Sequence, residues 1–244
     1  MCRHLAYLGE PVRLGTLLTD PEHGLIRQSW APRAQQHGTV NVDGFGIGWY
    51  ADGDPIPARH RGAGPIWADA TVADLARVIS TRAVLAAVRS ATPGMAQGLS
   101  AAAPFADGPW LFSHNGVIGG WPGSVADLAS GLPVEDLARL DAATDSALLW
   151  ALIRHRLRQG EPPAKALAAV VTAVAERAES RLSVLIVDGD QIIAAALGEV
   201  MVTRRLAAGV VVASEAWDDE DVWQLVPDAT VMTLTPSATT VVAL

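Results

Sequence analysis

The chain of 244 residues holds one cysteine, Cys2. A single thiol excludes an internal disulfide and any zinc site built from several thiolates, so Cys2 acts alone or is inert. No run of Lys or Arg occurs, and 26 acidic against 18 basic side chains leave a formal charge of -8, which argues against nucleic acid as a partner. No apolar stretch reaches the ~18 residues of a membrane span, because Leu182–Val187 and Gly209–Ala213 are short and bounded by charge or glycine. The start, Met1-Cys2-Arg3-His4-Leu5, runs into Gly9-Glu10-Pro11 instead of an apolar core. It does not read as a secretory signal, so a cytoplasmic location without a membrane partner is the default expectation. Repeats, low-complexity tracts and linkers are missing as well. With 50% hydrophobic residues the chain can bury a large core, and residues 2–244 are expected to form one domain.

What is present alternates between two periodicities. Strand character, rich in Val, Ile and Trp, marks Phe45–Tyr50, Ala83–Val88, Trp110–Phe112, Leu182–Val187, Gln191–Leu197, Val210–Ser214, Thr230–Leu234 and Thr239–Leu244. Asp188-Gly189-Asp190 reads as a hairpin turn between two of them. Helical spacing joins Val72, Leu75, Ala76 and Ile79, then Leu148, Leu149, Leu152 and Ile153, then Pro162–Ala178, where Pro162 and Pro163 suit a first turn. Asp52–Pro65 and Pro104–Pro109 read as surface loops, with Asp52–Pro57 a candidate hairpin turn. Strands, then helices, then strands with short connections predict an α+β domain in which helices cover antiparallel sheet.

Position 2 gives the thiol a particular chemistry. Removal of Met1, which a small second residue generally permits, exposes an α-amine of reference pKa about 7.7–8.0 beside a thiol of about 8.5. The amine can take the thiol proton and return it to a leaving amine, so one residue supplies nucleophile and base. A retained Met1 would acylate that amine and leave an inert terminal cysteine. Cys2 and His4 form an isolated pair with no identifiable third and fourth ligand, so neither a metal nor an organic cofactor is invoked.

Acyl transfer also needs oxyanion donors and groups that hold the acyl part. Ser113-His114-Asn115-Gly116 follows the predicted strand Trp110–Phe112, so the Asn115 amide and the Gly116 N–H can converge on one oxyanion; Asn-Gly is equally a plain turn. Arg89 ends the predicted strand Ala83–Val88, where a guanidinium can grip a carboxylate or make a surface ion pair. Asp145 precedes a predicted helix, as an N-cap or first-turn carboxylate or as the partner of a substrate ammonium. Phe45-Gly46-Ile47-Gly48-Trp49-Tyr50 alternates glycine with large residues in a strand, which admits close approach of backbone, rings or a ligand. It is no dinucleotide fingerprint, because no glycine-rich turn leads from strand to helix.

Together these fragments resemble the class II glutamine amidotransferase domains of the N-terminal-nucleophile hydrolase superfamily. The matching elements are Cys2, Gly44-Phe45-Gly46, Arg89 with Thr92, His114-Asn115-Gly116 and Thr144-Asp145-Ser146, in family order, and Ser214-Glu215-Ala216-Trp217 is similar to a later family loop near the substrate. The resemblance implies a four-layer αββα sandwich of two stacked antiparallel sheets. It implies attack by Cys2 on a γ-glutamyl carbonyl, an oxyanion held by Asn115 and Gly116, an α-carboxylate bound by Arg89 and an α-ammonium bound by Asp145, with Thr92 and His114 beside the substrate. Two positions depart from the family pattern: Ala87, where a histidine is common, and Ala147, where an acidic residue is common. They suggest a divergent leaving-group side. The pattern spans essentially the whole chain, leaving no acceptor domain, so a stand-alone γ-glutamyl hydrolase is favoured over a glutaminase subunit that supplies ammonia to a separate synthase, and over a non-enzymatic scaffold. Within the family the pattern is most similar to members that release glutamate from γ-glutamyl-cysteine conjugates in ergothioneine biosynthesis. Eight Trp beside two Tyr would suit a pocket for the cationic betaine of such a substrate, with Trp30, Trp49, Trp121 and Trp217 as candidates and ordinary packing as the alternative. The expected partner is that small molecule; self-association is left open.

Overall fold

A computed structural model describes residues 2–36, 38–207 and 209–244. In chain order the strands are β1 (Arg3–Arg13), β2 (Phe45–Trp49), β3 (Ala58–Gly62), β4 (Ser80–Val88), β5 (Phe105–Asp107), β6 (Trp110–Ile118), β7 (Ser180–Val187), β8 (Ile192–Leu197), β9 (Val202–Leu206), β10 (Gly209–Ala213), β11 (Gln224–Leu225), β12 (Thr230–Leu234) and β13 (Thr239–Ala243). The helices are α1 (Leu14–Leu18), α2 (Leu25–Gln28), α3 (Ala70–Val78), α4 (Ala126–Ser130), α5 (Val134–Ala138), α6 (Asp145–Arg158) and α7 (Pro163–Ala175). One sheet has seven strands in the order β11-β9-β10-β1-β4-β2-β3, and the other has six in the order β13-β12-β8-β7-β6-β5. All the pairings are antiparallel.

Side-chain alternation along the strands turns these sheets into four layers. In β1, Leu5 and Tyr7 pack with Leu14, Leu17, Leu18 and Leu25 of α1 and α2, while Ala6 and Leu8 face the other sheet. β4 repeats the division, with Val84, Ala86 and Val88 under the helices and Ala83 and Leu85 between the sheets. On the other side Val184 and Ile186 of β7 pack against α6 and α7, whereas Leu185 and Val187 turn inward. Strands buried on both faces in this way produce three apolar layers, and helix, sheet, sheet, helix is the arrangement that fills them.

Local chemistry fixes the helix starts. Thr144 caps α6 by accepting the Ala147 N–H at 3.2 Å, Asp69 caps α3 by accepting the Thr71 N–H at 2.9 Å, and Pro163 opens α7. The Asp188 turn connects β7 to β8, with Gly189 at φ 92° and the Asp188 carboxylate accepting the N–H groups of Asp190 and Gln191.

Several expectations change. The strand predicted to end at Phe112 continues to Ile118, which places Asn115-Gly116 inside β6 instead of in a turn. Asp52–Pro65 contains β3 as well as the hairpin turn, and Pro104–Pro109 contains β5. β1 lacks polar alternation because both its faces are covered, and a register shift between Leu8 and Val12 absorbs Gly9-Glu10-Pro11 without ending the strand.

Candidate active site

Cys2 stands directly before β1. Two residues on, His4 reaches across to the second sheet, its Nδ1 3.0 Å from Ser113 Oγ on β6 and its Nε2 2.9 Å from Ser183 Oγ on β7. Ser214 grips the same residue from the other side, its Oγ accepting the His4 N–H at 3.0 Å and its own N–H donating to His4 O at 2.9 Å. Complete burial drives the His4 pKa down to about 3, so the imidazole is neutral near pH 7 and clamps the two sheets together where Cys2 enters.

The next position on the same face of β6 beyond Ser113 is Asn115, fully buried, and neither its Oδ1 nor its Nδ2 has a hydrogen-bond partner among the described residues. Such an amide is destabilising by about 1–3 kcal/mol until something bonds it, the signature of a group held for a ligand. Gly116 follows at φ 148°, and a Cβ there would lie 1.9 Å from Arg181 O on β7, so no other residue fits this backbone.

Arg89 leaves the end of β4 and is anchored by carbonyls, its guanidinium donating to Ala96 O at 2.8 Å and to Asp43 O at 3.4 Å. No carboxylate pairs with it among the described residues. The backbone locks this end of β4 to the glycine-rich strand, Arg89 N–H donating to Gly44 O at 2.7 Å and Asp43 N–H to Arg89 O at 2.9 Å. Gly46 has a separate task, since a Cβ there would meet Ala103 O at 2.3 Å and push back the Ala101–Phe105 wall of the site.

His114 points to the opposite face of β6, where its Nδ1 lies 3.0 Å from Ser146 Oγ at the start of α6. Burial depresses its pKa, with the Asp145 carboxylate opposing. Thr144 takes the capping role, so Asp145 is the first residue of α6; its Oδ1 accepts the Ser146 N–H at 2.7 Å and its Oδ2 the Ile118 N–H at 3.3 Å. A carboxylate is favoured at that helix N-terminus.

Cys2 joins two cavities. The inner one, about 20 Å³, is lined by Cys2, Phe45, Arg89, Ser113, His114 and Ser146, and the outer one, about 430 Å³, by Cys2, Ser90, Thr92, Gly116, Val117 and Arg181 among others. Cys2 Sγ lies 3.8 Å from Ser90 O. Burial pushes the thiol pKa up and Asp145 adds to the rise, while Arg89 opposes it. The site therefore brings together Cys2, Arg89, Thr92, His114 and Gly116, with Asn115 and Asp145 buried behind these walls. Met1, whose removal the chemistry of Cys2 requires, lies outside the described residues.

Residues 23–210 match the family described as "Glutamine amidotransferases class-II". The chain belongs to that family. It is 41% identical over 246 residues to the gamma-glutamyl-hercynylcysteine sulfoxide hydrolase of Mycobacterium tuberculosis (strain CDC 1551 / Oshkosh), covering 100% of this chain and 97% of the relative. Identity is also 41% over 229 residues to the protein of that name in Mycolicibacterium smegmatis, covering 93% of each. Among solved structures, a glutamine aminotransferase class-II domain protein from Silicibacter pomeroyi superposes with a TM-score of 0.72 at 22% identity over 99% of both chains. The Bacillus subtilis glutamine phosphoribosylpyrophosphate amidotransferase gives 0.70 at 16% identity, covering 100% of this chain and 49% of that one. These two establish the shared fold.

One expectation drawn from the class II amidotransferase resemblance is corrected. None of Trp30, Trp49, Trp121 and Trp217 is among the residues lining the two Cys2 cavities. Trp217 is buried against Trp223 at 5.2 Å, Trp49 and Trp121 pack on apolar clusters, and Trp30 pairs with Trp67 at the surface. Apolar burial claims Trp49, Trp121 and Trp217 while Trp30 stays exposed against Trp67, and indole surplus carries no information about which face a ring takes. The Ser214–Trp217 loop packs against the residues that follow Cys2: Ser214 bonds His4, and Glu215 accepts the N–H groups of Arg33 and Ala34 at 3.0 and 2.8 Å and lies 4.0 Å from Arg3 Nε. Sequence reasoning missed Ser183 and Arg181. Period-two alternation along β7 was the available signal, but its partner strand in β6 ended too early to give the register.

Proposed function

We propose that this class II amidotransferase-family chain is a γ-glutamyl amidohydrolase that releases glutamate from a γ-glutamyl-cysteine conjugate, with γ-glutamyl-hercynylcysteine sulfoxide of ergothioneine biosynthesis as substrate. The observation that carries the reading is the position of the sole cysteine, at the junction of two cavities beside Gly116 on one side and Arg89 on the other. The full-length identity of about two residues in five to hydrolases of that name supports the choice of substrate. An open outer groove of about 430 Å³ next to the thiol suits a bulky leaving group better than ammonia.

In this scheme the Cys2 amine, freed of Met1, takes the thiol proton, which offsets the upward push of burial on the thiol. Sulfur attacks the γ-carbonyl carbon; the carbonyl π pair moves to oxygen, where Asn115 Nδ2 and the Gly116 N–H receive it. The C–N bond then breaks, its electron pair staying on nitrogen, which leaves with the proton from the Cys2 ammonium. Water hydrolyses the remaining thioester to glutamate and free thiol. Arg89, unpaired with any carboxylate among the described residues, holds the α-carboxylate, and Asp145 holds the α-ammonium from the start of α6. Thr92 and His114 border the substrate. The reaction uses the chain's own groups in a cytoplasmic setting, and no helix among the described residues is long and apolar enough to cross a membrane.

The test is glutamate release by protein whose intact mass begins at Cys2, given γ-glutamyl-hercynylcysteine sulfoxide or L-glutamine. Efficient turnover of the conjugate supports the proposal. Release from glutamine alone, stimulated by a second protein, would instead favour the ammonia-supplying alternative.

A further inference from the structure

The two cavities that meet at Cys2 each contain one arginine, Arg89 in the inner chamber and Arg181 in the outer groove, and Arg181 is the one charged residue among the described residues lining that groove. We propose that Arg181 is a specificity-determining residue that binds a carboxylate on the leaving-group side of the scissile amide, so that γ-glutamyl amino acids are preferred over γ-glutamyl compounds whose released amine is uncharged. This rests on the hydrolase reading above and extends it to the other side of the bond.

Strand register supplies the geometry. β6 and β7 pair Asn115 with Ser183 and Val117 with Arg181. Alternation puts Arg181 on the same sheet face as Asn115, one dipeptide or about 6.8 Å farther along the strands. An amino acid leaving group carries its carboxylate carbon two bonds from the scissile nitrogen, so a carbonyl oxygen held at Asn115 sets that carboxylate within reach of a long guanidinium side chain at Arg181. The Arg181 stem passes Gly198, where a Cβ would lie 3.4 Å from its Cγ.

The guanidinium is available for a stronger partner. Its Nη1 lies 3.9 Å from Glu199, an ion pair without a hydrogen bond, and its side chain is 32% exposed. Among the described residues its N–H groups donate no hydrogen bond. Arg89 on the other side is oriented by two carbonyls. One cation per cavity therefore matches a substrate with a carboxylate on each side of its amide bond. The surrounding protein carries a formal charge of -8 and offers such a substrate little general attraction, so local arginines must supply it.

The experiment compares kcat/KM for γ-L-glutamyl-S-methyl-L-cysteine with that for its C-terminal carboxamide, using full-length protein beginning at Cys2. The wild-type chain is expected to favour the carboxylate by about 10–100-fold, the range of one charge-assisted bidentate contact. In Arg181→Gln the ratio falls to within about threefold of unity, and Arg181→Lys, which keeps charge but not the planar fork, restores part of it. Using a ratio cancels any uniform loss of active protein. A wild-type ratio near one, or a ratio unchanged in Arg181→Gln, overturns the inference. Should Arg181→Gln fail to fold, the wild-type preference must shrink as ionic strength rises, and a salt-independent preference overturns it. Equal hydrolysis of both compounds sinks this inference alone, as does hydrolysis of neither while γ-glutamyl-hercynylcysteine sulfoxide is still cleaved; failure on all three sinks the amidohydrolase reading with it.

Discussion

Cys2, Asn115 and His4 illustrate three ways in which one side chain can be committed. Replacing Cys2 with Ala removes the one thiol, and glutamate release should fall to background while the circular dichroism spectrum is unchanged. Asn115→Ala should lower kcat by about 10²–10³, or about 2.7–4 kcal/mol, with a smaller effect on KM, because it removes one of the two proposed oxyanion donors and such a donor acts mainly in the transition state. His4 makes a different prediction. Its folded pKa is about 3 against the ordinary 6.5, so below pH 6.5 the unfolded chain takes a proton that the folded chain refuses. Stability is therefore lost as pH falls from 6.5 toward 3. His4→Gln should be less stable than the parent at pH 7 but lose less on acidification, as read by urea unfolding at a series of pH values. The residue identities at this scale were legible in the sequence; the neutral clamp at His4 was not, because its two partners lie more than a hundred positions away, nor was the unpaired state of Asn115, because its burial depends on pairing with Ser183 in a strand distant in sequence.

Strands and helices carry the site, and β6 carries most of it. Gly116→Ala should destabilise the protein by about 2–6 kcal/mol, since strain at positive φ and overpacking against Arg181 O each contribute about 1–3 kcal/mol. Denaturant midpoints and residual activity should fall together. Thr144→Ala removes the cap of α6 and should reduce stability by about 1 kcal/mol, with most of the activity retained if Asp145 keeps its bonds to Ile118 and Ser146. Helix spacing at Val72–Ile79, Leu148–Ile153 and Pro162–Ala178 was readable because an apolar stripe and a proline at the first turn are local signals. Asn-Gly misled for an equally local reason: it is a strong turn signal in isolation, and only pairing with β7 over its full length keeps it extended. The strands β5 and β11 have too few residues to show any period, and β3, an edge strand of sequence Ala-Arg-His-Arg-Gly, has no apolar alternation to read.

For the whole molecule, the middle layer between the sheets sets the distance between Cys2 on one sheet and Asn115 on the other. Leu185→Ala, at the centre of that layer and fully buried, should cost about 2–5 kcal/mol by cavity formation and should reduce activity more than an equal truncation at Leu167 on the buried face of α7. Thermal unfolding and kcat/KM measured on the two variants would separate stability from alignment. The amino-acid sequence by itself determined the class of chemistry, because a single thiol at position 2 followed by four short motifs in order leaves few alternatives, and it determined the layered α+β character through its periodicities. The tertiary structure alone decided which side chains share a cavity, that the indoles pack away from it, and that Arg181 stands in register beyond Asn115. Those facts come from antiparallel pairing between segments separated by more than sixty residues, and no local pattern encodes the register that a whole sheet adopts once both its faces are buried.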